Sequence, residues 1–179
     1  MKYREERHKY IMTNSKRKFE LNNLARLRTE KVLAAAAICC FLIFRFIIGI
    51  ATVRGNSMSP TLENGQIVLC YHLQKNYNRG DIVSVRMTDG EYLVKRVVAV
   101  AGDEVDIRGG TVFVNGKRED GDYCHSETEA VKNAIHYPLT IDEGMIFLLG
   151  DNRETSVDSR TYGPFSITQT RGKVLMPKR

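Results

Sequence analysis

Cysteine is scarce, with four in 179 residues. Cys39 and Cys40 are adjacent and cannot readily bridge each other. Cys70 and Cys124 lie far apart, with no metal-ligand spacing around them. A disulfide scaffold and a zinc site therefore drop out, and a domain of ordinary size needs neither for its core. Cys70 sits in an apolar alternating run and reads as buried filler. Histidine is equally sparse. His125 and His136 are eleven apart without acidic ligands at useful spacing, so they read as surface residues. No metal and no other cofactor is expected.

Most of the chain also lacks net charge. Residues 1–31 hold ten Lys or Arg against four Glu, which is +6, and the remainder holds seventeen of each sign. No aromatic platform accompanies the basic head, and it is too short and poorly patterned for a helix-turn-helix, so nucleic acid is not the expected partner. The excess instead precedes the apolar stretch VLAAAAICCFLIFRFIIGIATV, Val32 to Val53. A helix of about 20 residues covers the roughly 30 Å hydrocarbon layer. Residues 32–51 suit one crossing, with Arg45 in the outer half where it can snorkel. The β-branched segment after Arg45 can equally begin a strand, leaving a shorter span. The stretch ATVRGN lacks a clean small-x-small site, which favours an anchor over a removable leader. Basic residues in front of a span place the head inside. The expected organisation is a cytoplasmic head (1–31), a transmembrane helix (32–51) and an extracytoplasmic domain (52–179), touching membrane lipid and monomeric.

Beyond the anchor, short alternating runs dominate: 66–73, 81–87, 92–100, 103–107, 111–116, 145–150 and 172–176, separated by turn sequences such as TDG, AGD, RGG and NGK. They predict a mostly β domain of antiparallel strands forming a partly closed barrel. TVFVNGK following RGG pairs with DEVDI. Residues 117–140 are polar, break the alternation and read as a surface loop or short helix.

Three segments carry chemistry. GNSMSPTLENG (55–65) is turn-like and offers Ser57 or Ser59, but serine is a poor nucleophile until a base takes its proton. In YLVKRVVAV (92–100), period two puts Lys95 and Arg96 on opposite faces among apolar neighbours. Burial would lower a lysine from about 10.4 toward roughly 8, leaving a usable neutral fraction, whereas arginine cannot be tuned this way. Lys95 is thus the candidate base and Arg96 a structural residue. In GDNRETSVDSRTYGPF (150–165), alternating charges are dense. The stretch reads either as a solvated loop or as a functional one, in which Ser156 hydrogen-bonds the lysine amine and Asp158 and Arg160 brace the loop.

Together these segments resemble the type I signal peptidases, membrane-bound serine proteases that remove leader peptides from exported proteins. GNSMSPTL is similar to the family's nucleophile box, which assigns the nucleophile to Ser57, puts Met58 beside it in support and leaves Ser59 in the variable place. RGDIVSV is similar to the structural strand box, YLVKRVVAVAGDEV to the box carrying the base at Lys95, and GDNRETSVDSRTYG to the last box. The resemblance implies that Ser156 orients the lysine and that Asp158 and Arg160 form a supporting salt bridge. Lysine as base points to the bacterial branch, and the short insert and single span resemble its compact Gram-positive members. Gly55 stands where some members carry a serine that assists the oxyanion hole, which leaves the Ser57 N–H, or that N–H together with water, to meet the developing charge. The resemblance further implies cleavage of preproteins after small residues, Ala-x-Ala in type, with Ile48, Ile50 and their neighbours lending apolar pockets. Two other classes fit parts of the sequence. A self-cleaving repressor uses a serine–lysine pair but needs a DNA-binding head and no span, and an anchored β module keeps the fold without a dyad.

Overall fold

The computed structural model describes residues 2–121, 123 and 126–175, with side chains from residue 22 onward. Cys124 and His125 lie outside the described residues. The chain forms two compact units, residues 1–45 and 46–179.

The first unit belongs to one helix, α1 (Lys2–Ile47). Among the described residues no helix is long and apolar enough to cross a membrane. The helix gives way at Ile48 to strand β1 (Ile48–Thr52), so the last residues of the expected anchor are extended backbone. IGIAT carries β-branched residues at alternate positions and a glycine that weakens a helix, and it finds a partner strand. The competing reading of this segment, a strand beginning after Arg45, is the one the fold adopts.

The second unit is mostly β. Along the chain follow β2 (Ile67–Tyr71), β3 (Ile82–Arg86), β4 (Tyr92–Val100), β5 (Glu104–Arg108), β6 (Thr111–Val114), β7 (Lys117–Arg118), β8 (Leu139–Thr140), β9 (Met145–Leu149), the single-turn helix α2 (Ser159–Tyr162), β10 (Phe165–Ser166) and β11 (Thr170–Leu175). Seven strands form a partly closed half-barrel in the order β1-β2-β11-β3-β4-β9-β10, and β7-β6-β5-β8 form a smaller sheet. All pairings are antiparallel. The predicted hairpin is present, with Val105 opposite Val114 and Ile107 opposite Val112. Its apolar residues pack with Val98, Ala99, Phe147 and Leu149 of the large sheet. The 117–140 segment contributes two short edge strands and no helix among its described residues. His136 is exposed, and Cys70 is buried against Val68, Ile82 and Val174.

Two features of pairing position the site. β1 is an edge strand, bonded only to β2. β4 pairs with β3 along residues 92–96 but with β9 only from Arg96 onward. The first half of β4 therefore keeps one edge unpaired, and a β-bulge between Val97 and Ala99 bends the strand where that edge begins.

Candidate active site

The turn after β1 is pinned from below. Met58 is fully buried with Val53, Leu62 and Val68, so alternation of contacts leaves its neighbour Ser57 half-exposed at the surface of the core. Leu62 N–H donates to the Met58 carbonyl, and Val53 pairs with Gln66 and Gly65, closing the turn. Ser57 Oγ lies 2.6 Å from Lys95 Nζ. Thirty-eight residues of chain separate the two, and the half-barrel brings them together. The sequence left Ser57 and Ser59 open on chemistry alone. The structure puts Ser57 at the amine, while Ser59 N–H is engaged with the Asn56 carbonyl.

Lys95 is 2% exposed. Burial pushes its amine down to about 8, countered by the Asp158 carboxylate and reinforced by the Arg160 guanidinium. A dyad needs this combination of short contact and lowered pKa, because only the neutral amine can accept a hydroxyl proton.

The 150–163 loop closes the site from the β9 side. Asp158 is fully buried and pairs with Arg160 at 2.9 Å, and its second oxygen accepts the Gly150 N–H. Arg160 also donates to the carbonyls of Arg153 and Ser156. The loop is thus tied across its own width by one ion pair. Asn152 N–H donates to the Ser57 carbonyl at 3.1 Å, which joins the loop directly to the turn. Gly150 is obligatory at this junction, since a Cβ there would overlap Ser156 Oγ and the Ser57 carbonyl oxygen. Ser156 Oγ itself is buried and has no hydrogen-bond partner among the described residues, so the expected bond to the lysine amine is not formed.

Two buried ion pairs behind the site escaped sequence reading as pairs. Arg96, on the strand face opposite Lys95, meets Asp151 in a bidentate contact of 2.8 and 2.6 Å and donates to the Gly80 carbonyl. Tyr123 stacks on its guanidinium, 3.8 Å from the ring centre. Arg153 grips Glu119 with two bonds of 2.8 and 2.9 Å and also binds Thr128 and the Gly150 carbonyl. Density of charge in the GDNR segment was the visible signal. The partners sit 55 and 34 residues away, where no local pattern points to them.

A cleft of about 720 Å³ runs from the Ser57–Lys95 contact between β1 and the unpaired half of β4. Ile50, Ala51, Val53, Met58 and Leu93 line it; Ile48 does not. Ile48 and Ile50 share the outer face of β1, and Ile50 reaches the cleft only from its rim, 72% exposed.

Residues 26–178 match the family described as signal peptidase, peptidase S26. Signal peptidase IB of Staphylococcus aureus is 33% identical over 159 residues, 79% of this chain and 83% of that protein. Signal peptidase I S of Bacillus subtilis is 34% identical over 157 residues, 82% of this chain and 85% of that protein. A crystal structure of a signal peptidase I from Enterococcus faecalis shares 28% identity at a TM-score of 0.45, covering 55% of this chain and 96% of that one. With nearly the whole β domain inside the match and a serine hydroxyl on a buried lysine at its centre, the chain belongs to the type I signal peptidases of family S26, serine endopeptidases associated with membranes.

Proposed function

We propose that Ser57 is the nucleophile and Lys95 the general base of signal-peptide cleavage from exported preproteins. The observation that carries this is the 2.6 Å contact between a half-exposed hydroxyl and a buried amine whose pKa is lowered to about 8. The Ser57 proton passes to Nζ as Oγ attacks the scissile carbonyl. The protonated amine then gives that proton to the leaving amine, and water activated by the same lysine hydrolyses the ester. The Ser57 N–H has no partner among the described residues and is the donor best placed for the oxyanion. At Gly55 no side chain contributes, and its own N–H is taken by Asn64. Ser156, whose buried hydroxyl is unpaired in the resting protein, steadies the amine once the proton has moved. Asp158 and Arg160 hold the loop that carries it.

The substrate enters as an extended strand. β1 and the first half of β4 present facing unpaired edges, and both run in the same direction with the dyad at their far ends. A peptide strand laid between them gains main-chain hydrogen bonds on both sides, and alternate side chains point inward. Ala51, Val53 and Met58 leave shallow room there, which suits small residues one and three before the cut.

The anchor is proposed on the charge asymmetry and the apolar helical stretch 32–47. At about 1.5 Å per residue that stretch is roughly 24 Å long, less than the hydrocarbon layer. Within the second unit Phe46, Ile50, Ile67 and Leu69 are exposed apolar residues, which suits a domain working at a bilayer surface. The deciding experiment is cleavage of a preprotein by Ser57→Ala, Lys95→Ala and Ser59→Ala. The first two are expected to be inactive while still folded, and Ser59→Ala to retain most activity. An active Ser57→Ala enzyme would falsify the assignment.

A further inference from the structure

The end of the cleft remote from the dyad holds an imidazole that the chemistry above does not use. His72 follows β2, and its backbone N–H donates to the Ile47 carbonyl. Its Nδ1 lies 3.2 Å from the Phe46 carbonyl oxygen. A carbonyl only accepts, so Nδ1 carries the hydrogen in this contact, and the neutral ring presents Nε2 as an acceptor. Nε2 is buried and has no hydrogen-bond partner among the described residues. Leaving such an atom unsatisfied is costly, and a bound donor removes that cost.

The ring occupies the place of a missing side chain. Gly49, Ala51 and Val53 share the inner face of β1. A Cβ at Gly49 would overlap Nε2 and Cε1 of His72, so glycine at this position is what admits the ring. His72 therefore caps the inner face of β1 and lines the same cleft as Ser57 and Lys95.

The register of a bound strand then assigns the ring a partner, given the extended binding mode proposed above. Residues before the cut run back along β1 from Ser57 toward Phe46, and their side chains alternate with period two. The face that turns the first and third residues before the cut inward also turns the fifth inward. Steps of two along β1, from Val53 to Ala51 to Gly49, end at the imidazole. We propose that His72 forms a polar subsite for the side chain five residues before the scissile bond, with Nε2 accepting a hydrogen bond from a hydroxyl or amide donor there: Ser, Thr, Asn or Gln. This places a specificity-determining residue at the end of the cleft where β1 begins, separate from the shallow pockets that select small residues near the cut.

The test uses the full chain in detergent and four preprotein substrates that differ only at that fifth position, carrying Ser, Asn, Ala or Val. The readout is the ratio of kcat/KM for donor over non-donor substrates within each enzyme, so any loss of folded protein cancels. Wild type is expected to favour Ser and Asn by roughly three- to tenfold, the span that one net hydrogen bond supplies. His72→Leu brings the ratio to about one. His72→Gln, whose amide oxygen reaches the place of Nε2, keeps most of it. Gly49→Ala pushes the ring aside and lowers the ratio as His72→Leu does, which preserves the test if the leucine variant does not fold. A wild-type ratio near one overturns the subsite, as does a ratio that persists in both His72→Leu and Gly49→Ala. Loss of the ratio in His72→Gln overturns the acceptor role. If wild type cuts none of the four substrates, the signal-peptidase reading falls and takes the subsite with it; if it cuts all four equally, only the subsite is lost.

Discussion

At the scale of single residues, Lys95 is where folding and catalysis oppose each other. Its ammonium is buried, and with a pKa near 8 about a tenth of the amine is neutral at pH 7. Turnover is expected to rise with pH through about 8 and to stay high into mildly alkaline solution. The check is a pH–rate profile of kcat/KM: a rising limb near 6.5 that disappears when a histidine is replaced would identify a different base. The same shift has a sign in stability. Between about 8 and 10.5 the unfolded lysine still holds a proton that the folded one has lost, so stability rises with pH across that window. Below it the folded protein bears the cost of a buried charge. Lys95→Met removes that charge, and the variant is expected to melt several degrees higher at pH 7 while losing all cleavage. A lower melting temperature than wild type would show that the amine is stabilising, contrary to its burial.

At the scale of elements, the loop after β9 is held by ion pairs whose removal has effects that can be told apart. Asp158 satisfies Arg160, the α2 N-terminus and the Gly150 N–H at once. Asp158→Ala leaves a buried guanidinium poorly compensated, with an expected loss of about 3–5 kcal/mol together with activity. Gly150→Ala displaces the Ser57 carbonyl by a steric route without removing charge. Errors of about 1 Å in such a site cost on the order of 100-fold in rate. Its kcat is expected to fall far more than its unfolding midpoint, and equal proportional losses would argue against a positioning role for the junction. These elements also show how far the sequence could be read. Strands β2, β5 and β6 were legible because each has one buried face, which writes period two into the residues, whereas β3 and β9 are buried on both faces and were legible as short apolar runs bounded by turn sequences. β1 was ambiguous because a continuous apolar run carries no period to separate strand from helix. β8 and β10 are two residues long and leave no pattern at all. The candidate site was legible as far as its segments go, since Ser57 and Lys95 lie in motif-bearing stretches whose side chains the fold brings into contact. Glu119 meets Arg153 from the segment after β7 of the smaller sheet, and His72 fills the space at Gly49 through the pairing of β1 with β2; both partners are distant in sequence, and no local rule announces them.

At the scale of the whole molecule, the distribution of charge is the ground for the proposed orientation of the chain in the membrane. All of the net +6 precedes the apolar stretch, and residues after 31 are balanced. Lysine and arginine within some 15–20 residues of a span hold their side in the cytoplasm, whereas a neutral domain places no such constraint on crossing. The apolar helical stretch ends at Ile47, and the cleft begins at β1, so only a few residues of chain separate the proposed anchor from the cleft. A preprotein whose apolar segment is still embedded would then present its cleavage region to the cleft without leaving the bilayer surface. This arrangement works only if the domain from β1 onward lies outside. Protease added to intact cells stripped of their outer wall is therefore expected to digest residues from Ser57 to the C-terminus and to spare an epitope placed at the N-terminus; after lysis both should be lost. A protected outer domain with a cleaved N-terminal epitope would reverse the orientation and remove the dyad from any exported substrate.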